Sequence, residues 1–590
     1  MRPHAPLAAI LVAAAGPILA SGAASPAPAG ATTTWSATAT QAVPAPTGST
    51  TIGQLPGATP IGVAVGLALR NQATLRNFIA DASTPSSPEF GAAYTPAGFT
   101  ATYGPTGAAV DAVTSYLQSQ GFSNVTVSSN HLLVSATGTV ADAEQAFDTT
   151  LTSYRLGGAD VFANSTAAMV PSSLSGTVVG VLGLNDVFKA TATPVKAGSQ
   201  ATTVPNVVNE YTPQGFQKAY GATGTSTGAG TAIATISAGA MTAPIKNLRA
   251  EEAANKLPQV PVTVERAGIQ TPATPTANIE WDLDSQFATG MAQTVSHFYF
   301  YDASTLTDSD LAMVFNKWVS QDIAKAASAS LGECEFYPYL DGSMVIDDEI
   351  FAEAAAQGQT MFASSGDTGA SCALVGTNGV PDSGAPMVNY FASSPYVVGV
   401  GGTTLTTKAT GSYDFETSWV AGGGGLSQFE YRPYWQKQVM PITDGTTGDR
   451  GVPDMAMDAN PTTGAWVYTT TGVIGVGGTS LSAPLALGTW ARIESSYQNR
   501  LGFAAPVLYG VYLKGSCNPT LSTLEQICTT PAFHAPLAGD NGLYPETPGY
   551  NYNTGLGTFD TAAMVRAVQP FVPAAVHKPG TGAPPPPGTH

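Results

Sequence analysis

Segments typical of β-strands alternate with segments typical of α-helices from Tyr211 to about Pro570. Apolar runs such as TAIATIS, TMFASS and VVGVGGTTL are separated by amphipathic stretches such as LAMVFNKWV and DDEIFAEAAAQ. Alternation over this length predicts an α/β fold with a mostly parallel sheet flanked by helices. Such sheets carry their active sites in loops beyond the carboxyl ends of the strands.

The rest of the chain divides by composition. A compact α+β module precedes the α/β domain, because a strand-like run at 61–69 is followed by helical patterns, the strand-like NVTVSSNHLLVSATG and a helical segment. We expect six segments: a signal peptide at 1–25, a low-complexity linker at 26–50, the α+β module at 51–188, an exposed Thr/Pro/Gly-rich connector at 189–210, the α/β domain at 211–570 and a Pro/Gly tail at 571–590.

The charge excludes two classes of partner. With 40 acidic and 22 basic residues the net charge is −18 at pH 7, which argues against nucleic acids and anionic membranes. A pI near 4.6 suits an acidic environment, although an acidic surface that only confers solubility explains it equally well.

Four cysteines fit an exported protein with two disulfides. Chain order favours the pairs Cys334–Cys372 and Cys517–Cys528 but leaves the connectivity open. A zinc site is the weaker alternative, because the chain has no CxxC motif and few histidines.

The string GVGGTSLSAPLALGTW places glycines before Ser480 and an amphipathic helix directly after it. A serine at a helix start faces a cleft, where backbone N–H groups and the positive helix end can stabilise an oxyanion. A bare Gly-Thr-Ser would more often be a simple helix cap. The full GTSxSAP string instead predicts a nucleophile.

A serine nucleophile needs a base. Among the histidines only His297 and His534 lie in the α/β domain, and neither has the His-Gly-Thr context of a subtilisin. We therefore expect a carboxylate base. Glu280 and Asp284, in NIEWDLDSQFATG, are four residues apart and share one face of a predicted helix.

Asp367 follows a predicted strand in MFASSGDTGA. A carboxylate aimed at an oxyanion would repel it, so Asp367 is useful there only when it is protonated, which acid permits. An ordinary turn aspartate is the alternative.

Glu280, Asp284, Asp367 and Ser480 occur in the order and contexts of the sedolisin family of serine-carboxyl peptidases, which this chain resembles. The resemblance extends to SASLGECE, GGGGLSQFEYRPYWQ and RGVPDMAMDANPTTGAWVY, and 61–185 resembles the family's pro-kumamolisin-type prosegment. It implies a subtilisin-like catalytic domain and a ferredoxin-like prodomain.

By this resemblance Ser480 is the nucleophile, Glu280 the general base and then acid, and Asp284 the residue that orients Glu280. Asp367 and the Ser480 N–H would hold the oxyanion. Trp281 resembles a substrate-pocket residue, although packing of its helix is an alternative.

The family's calcium site has counterparts here that lack both of its carboxylates. The aspartates of the family's FHDI-like and GxG-W/Y-D-like segments are replaced by Ala535 and Asn551, while Pro536, Thr547 and Gly549 still offer carbonyls. A substitute carboxylate from Asp540 or Glu546 is the alternative. We expect no cofactor in the chemistry and weak or no Ca²⁺ binding.

The expected function is that of a secreted, monomeric, acid-acting endopeptidase that cleaves polypeptides and is made as a self-processing zymogen. Its own prosegment would act as inhibitor, and protonation of carboxylates would loosen the contact between the two acidic domains. An inactive secreted binding protein that retains the fold and a neutral subtilisin-like peptidase are the alternatives.

Overall fold

A computed structural model describes residues 33–192, 194–196, 211–269, 279–372, 386–440, 449–519, 526–536 and 538–579. The predicted signal peptide and most of the connector therefore lie outside the described residues. No helix within these ranges is long and apolar enough to cross a membrane.

The N-terminal domain is an α+β unit with its own apolar core. Its four-stranded antiparallel sheet has the order β4-β5-β3-β9, which is the βαββαβ arrangement of ferredoxin-like folds, as predicted. Val63, Leu117, Val134 and Phe147 lie in the core of this domain. The elements are β1 Trp35–Ala37, β2 Thr50–Gln54, β3 Pro60–Leu67, α1 Gln72–Ala82, α2 Pro96–Thr102, α3 Gly107–Ser119, β4 Ser123–Val127, β5 Leu133–Thr139, α4 Val140–Ala146, β6 Leu151–Leu156, β7 Ala159–Asn164, β8 Met169–Pro171 and β9 Val178–Leu182.

The C-terminal domain confirms the predicted α/β class. Its central sheet has the order β12-β13-β11-β14-β15-β16-β17, β20 also pairs with β16, and every pairing except β16–β17 is parallel. The elements up to the central sheet's last strand are β10 Val195–Lys196, α5 Pro213–Ala219, β11 Ala232–Ala238, α6 Thr242–Asn255, β12 Val262–Ala267, α7 Ile279–Ala292, β13 His297–Ala303, α8 Asp308–Gln321, β14 Ala326–Ala329, α9 Phe336–Asp341, α10 Ser343–Ala356, β15 Thr360–Ser364, β16 Val398–Thr407, β17 Tyr413–Ser418, β18 Gly425–Tyr431, β19 Asp449–Val452 and β20 Met455–Asp458.

The remaining elements carry the predicted nucleophile and close the domain. They are β21 Ala465–Thr469, β22 Gly472–Gly477, α11 Thr479–Ser496, α12 Ala504–Leu513, β23 Ser516–Pro519, β24 Gln526–Thr529, β25 Phe533–His534, β26 Thr558–Phe559 and α13 Thr561–Ala567. The strand order reverses at β11, whose neighbours are β13 and β14. Ligands bind at such a reversal, beyond the carboxyl ends of the strands.

Three segments differ from their sequence-based interpretation. Part of the expected linker forms β1, which pairs with β8, and Thr40 is buried with its hydroxyl bonded to the Val181 carbonyl. The connector is exposed only in part where it is described, since Ala190 and Ala192 are buried whereas Lys189 and Thr191 are exposed. The start of the tail packs on the N-terminal domain, because His577 exchanges backbone hydrogen bonds with Gly91 and Ala93.

The cysteine pairing favoured by chain order is present for the first pair, since Cys334 and Cys372 form a disulfide. For the second pair, the antiparallel strands β23 and β24 place Cys517 opposite Cys528 in the backbone register. The side chains of that pair lie outside the described residues.

Candidate active site

Ser480 is the second residue of α11, directly after a tight turn from β22. Gly478 makes this turn with φ +102°, a conformation that strongly favours glycine. Pro484, four residues into the helix from Ser480, has no N–H to bond the Ser480 carbonyl. That carbonyl instead lies 3.1 Å from the Ser330 hydroxyl, whose single hydrogen it shares with Asp284 Oδ1 at 2.6 Å. The start of the helix is thereby tied to the end of β14.

Glu280 and Asp284 lie on α7, which packs closely against α11. A Cβ added to Gly488 of α11 would lie 2.5 Å from the Ala288 carbonyl oxygen of α7, so the two helices approach this closely only because residue 488 is glycine. Arg492 strengthens the contact, since its Nε donates to the Met291 carbonyl at 2.6 Å. The packing brings the predicted base and nucleophile together.

Glu280 is fully buried, and its carboxyl group lies close enough to Ser480 for the serine hydroxyl to affect its pKa. Burial raises the pKa of Glu280 well above its ordinary value, and the nearby charge of Asp284 raises it further, whereas the Ser480 hydroxyl lowers it. A carboxyl group beside the serine hydroxyl is placed to act as a general base once it is ionised.

Both oxygens of Asp284 accept hydrogen bonds from hydroxyl groups. Ser330 Oγ lies 2.6 Å from Oδ1, and Thr235 Oγ1, on β11, lies 3.0 Å from Oδ2. Burial raises the pKa of Asp284 to about 7, and these two bonds oppose the rise. The bonds fix Asp284 one helical turn from Glu280.

Asp367 lies in the loop after β15, against the turn that presents the serine. Its Oδ1 accepts the Thr479 N–H at 2.7 Å and the Thr479 hydroxyl at 2.8 Å. Its Oδ2 faces the turn, because a Cβ on Gly478 would lie 2.6 Å from it. Burial raises the pKa of Asp367, which favours the neutral form.

Ser480, Asp367 and Thr479 line one cleft of about 170 Å³ together with residues of the connector. Thr191 pairs with Gly332 through reciprocal backbone hydrogen bonds of 2.9 and 3.0 Å. Beyond the cleft, Val195 is paired with Gly477 in the antiparallel β10–β22 register. The connector is therefore held along the cleft by backbone pairing at Thr191 and, beyond the cleft, at Val195.

Other sequence candidates lie elsewhere. Trp281 is only 1% exposed and donates from Nε1 to the Ala238 carbonyl, which fits the helix-packing alternative. His297 bonds Thr263 on the neighbouring strand, and His534 stacks on Tyr413. Neither histidine is among the described residues that line the cleft.

Sequence reasoning missed the hydroxyls of Thr235, Ser330 and Thr479. Thr235 and Ser330 lie far along the chain from Asp284, so no local pattern links them to it. Thr479 could have been found, because it stands inside the GTSxSAP string beside the nucleophile.

Comparison with known proteins agrees with this geometry. Residues 47–187 match the family described as the pro-kumamolisin activation domain. Sedolisin from Pseudomonas sp. (strain 101) is 35% identical over 531 residues, which cover 85% of this chain and 86% of sedolisin. Xanthomonalisin from Xanthomonas sp. (strain T-22) is 35% identical over 561 residues, which cover 86% of this chain and 65% of xanthomonalisin.

A solved structure of Pseudomonas sedolisin, a serine-carboxyl proteinase complexed with pseudo-iodotyrostatin, is 34% identical. It superposes with a TM-score of 0.54 and covers 61% of this chain and 98% of its own. The serine-carboxyl peptidase class is defined by a mostly parallel sheet and by a serine at the start of a helix that faces buried carboxyl groups. Within that class, the chain belongs to the sedolisin family.

Proposed function

We propose that the protein is a secreted endopeptidase that hydrolyses peptide bonds in acid, and that it is made as a zymogen. The proximity of the Glu280 carboxyl group to Ser480, with Asp367 against the same turn, carries the proposal. Ser480 attacks the scissile carbonyl carbon while Glu280 takes its proton. Glu280 then gives this proton to the leaving amine, and water completes hydrolysis of the acyl-enzyme by the same steps.

Asp284 orients Glu280 and keeps the Glu280 side chain on the side of α7 that faces Ser480. Neutral Asp367 and the Ser480 N–H donate hydrogen bonds to the oxyanion of the tetrahedral intermediate. Such preorganised donors are worth about 10²–10³-fold in kcat each. The neutral subtilisin-like alternative is not favoured, because Ser480 acts on the carboxyl group of Glu280, whereas His297 bonds Thr263 and His534 stacks on Tyr413.

Activity should be confined to acid. A raised pKa keeps Asp367 protonated, and thus a donor, until the pH rises through that raised value. Asp284 ionises as the pH passes about 7, and a second negative charge then accumulates in the site. Glu280 acts as a base only when it is ionised, so the proposal requires that water reaches its carboxyl group in the active enzyme and lowers its raised pKa towards the ordinary carboxyl value of about 4.

We expect hydrolysis of casein by the mature protein to be maximal between about pH 3 and 5 and to fall away above neutrality. The measurement is the initial rate across about pH 2 to 8, with the Ser480→Ala protein as the blank. Full activity at alkaline pH would contradict a carboxylate base acting with a protonated Asp367.

The buried carboxyl groups at the prosegment contact argue against the sequence-based expectation that acid loosens it. Glu349 accepts the Leu69 N–H at 2.9 Å and Gln72 Nε2 at 2.7 Å, and Glu353 accepts Asn130 Nδ2 at 2.7 Å. Burial raises the pKa of Glu349 and Glu353 to about 8. When protonated, these two buried glutamates stabilise the contact between the prosegment and the catalytic domain. This contribution is fully present below the ordinary pKa of glutamate and is lost as the pH rises towards 8. Acid therefore triggers self-cleavage by switching on catalysis, and cleavage separates the domains.

The residues at the family's calcium position do not fit the ion. The Asn551 Nδ2 group donates to Glu546 Oε1 at 2.7 Å and to the Thr547 carbonyl at 3.3 Å, so N–H groups stand where a cation needs oxygens. Asn551 Oδ1 accepts the N–H groups of Asn553 and Thr554. Burial also raises the pKa of Glu546 to about 7, which leaves it neutral in acid.

We expect the melting temperature at about pH 4 to change by less than about 1 °C between excess EDTA and millimolar Ca²⁺, since an ion that does not bind cannot stabilise by mass action. The matched control is the Ala535→Asp and Asn551→Asp double variant, which restores both carboxylates and should gain a calcium-dependent rise. A saturable rise in the unmodified protein would show that the loop binds calcium after all.

A further inference from the structure

The hydrogen bonds from Thr479 to Asp367 determine which oxygen of the Asp367 carboxyl group carries the proton. Two donors, the Thr479 N–H and its hydroxyl, point at the same oxygen, Oδ1, at 2.7 and 2.8 Å. In a neutral carboxyl group the carbonyl oxygen is the better acceptor and the hydroxyl oxygen is the donor. Oδ1 is thereby assigned as the carbonyl oxygen.

The Thr479 hydroxyl has a single hydrogen, and its surroundings direct that hydrogen to Asp367. Thr479 Oγ1 accepts the Gly366 N–H at 3.1 Å, which engages one of its lone pairs. The Gly366 carbonyl, at 3.2 Å, competes for the hydrogen but is farther away than Asp367 Oδ1 at 2.8 Å. Thr479 is therefore a donor to Asp367.

The other oxygen of Asp367, Oδ2, lies against the turn that precedes the nucleophile. Oδ2 lies against Gly478, the residue before Thr479, at the turn that also supplies the Ser480 N–H. The titratable groups near Asp367 are Glu280, whose pKa it raises, and Glu333 and Lys189, which line the same cleft. Within the described residues, Asp367 accepts its hydrogen bonds from Thr479.

We propose that Thr479 is a positioning residue that directs the proton of neutral Asp367 to Oδ2, from which the carboxyl group donates to the oxyanion. The inference rests on the proposed function, because it needs Asp367 as an oxyanion donor. No covalent bond changes in this step: the proton stays on Oδ2 and only its hydrogen bond to the oxyanion strengthens as the tetrahedral intermediate forms.

The test compares Thr479→Val, which keeps the N–H and the volume but lacks the hydroxyl, with Thr479→Ser, which keeps both donors. Each zymogen is activated by immobilised wild-type enzyme, which is then removed. For Thr479→Val we expect kcat to fall about 10–100-fold with KM changed less than about threefold. Loss of a hydrogen bond to the carboxylate raises the pKa of Asp367, so the alkaline limb of the kcat profile should move to higher pH by up to about one unit.

Binding provides a readout that needs no turnover. A peptide aldehyde adds to Ser480 and puts its oxygen in the oxyanion position, whereas the matching peptide alcohol does not. Thr479→Val should weaken the aldehyde about tenfold or more and leave the alcohol unchanged, and Thr479→Ser should restore wild-type behaviour. The control is Thr489→Val, which removes a buried hydroxyl bonded to Leu485 on the same helix and should not move the limb.

A fall in rate without movement of the limb, or equal losses for aldehyde and alcohol, would mean that Thr479 acts only through packing and would overturn the proposal. If Thr479→Val does not fold, Thr479→Cys, whose thiol is a weak donor, should move the limb in the same direction by less, and no movement would count against the proposal. The proposed function fails separately, if Ser480→Ala retains activity.

Discussion

Replacement of Ser480 by Ala should lower kcat by about 10⁴–10⁶-fold, and Glu280→Gln should cost nearly as much. The reason is that each variant removes one half of a single proton-transfer unit, the neighbouring Ser480–Glu280 pair. The double variant should be little worse than either single variant, because groups that act as a unit do not contribute additively. Steady-state kinetics at about pH 4 on a fluorogenic peptide measures all three.

Ser482→Ala is the matched control, since Ser482 lies on the same helix and its hydroxyl bonds the Met457 carbonyl at 3.0 Å. It should retain kcat. The Ser480→Ala zymogen should also stay intact in acid, as judged by its mass and N-terminus. Additive losses, or trimming of the purified Ser480→Ala zymogen at the wild-type rate, would refute the assignment.

Asp454→Ala should destabilise the catalytic domain by about 3–5 kcal/mol, because it leaves a buried guanidinium without its partner. Arg450 and Asp454 are both 0% exposed and form a bidentate pair with N–O distances of 2.8 and 2.6 Å. Asp454 also accepts the Tyr509 hydroxyl at 2.8 Å and the Gly399 N–H at 2.8 Å. Removing the carboxylate therefore leaves several buried donors unsatisfied.

Urea unfolding in a Ser480→Ala background, which prevents autolysis, gives the change in free energy. Glu265→Ala serves as control, because Glu265 pairs with Lys317 near the surface, where their side chains are 24% and 30% exposed. Such a pair should contribute no more than about 1 kcal/mol. Equal losses for the two variants would show that burial does not set the cost.

The sequence predicted the parts of the molecule that depend on local pattern. Strand–helix alternation predicted the parallel sheet, and the spacing of Glu280 and Asp284 correctly placed both on α7. The context of Ser480 predicted a residue at a helix start, which α11 confirms. These features are encoded within a few residues of one another.

Features that depend on distant contacts could not be predicted. Strand β1 could not be recognised within its Ser/Thr/Ala-rich stretch. It pairs with β8 through backbone groups, and its side chains form no apolar pattern in the sequence. The hydroxyl of Thr235 reaches Asp284 only once β11 packs against α7. The composition of the connector resembled that of an exposed loop, yet Thr191 pairs with Gly332 inside the cleft.

That pairing has a kinetic consequence, because the strand in the cleft is covalently attached to the catalytic domain. A tethered segment competes with substrate at an effective concentration of about millimolar, whatever the concentration of protein. One cut in the connector would convert this intramolecular competitor into a free molecule at the far lower concentration of the protein in solution. The same backbone hydrogen bonds at Gly332 and Gly477 then become available to substrate by dilution, without any change in their individual strength.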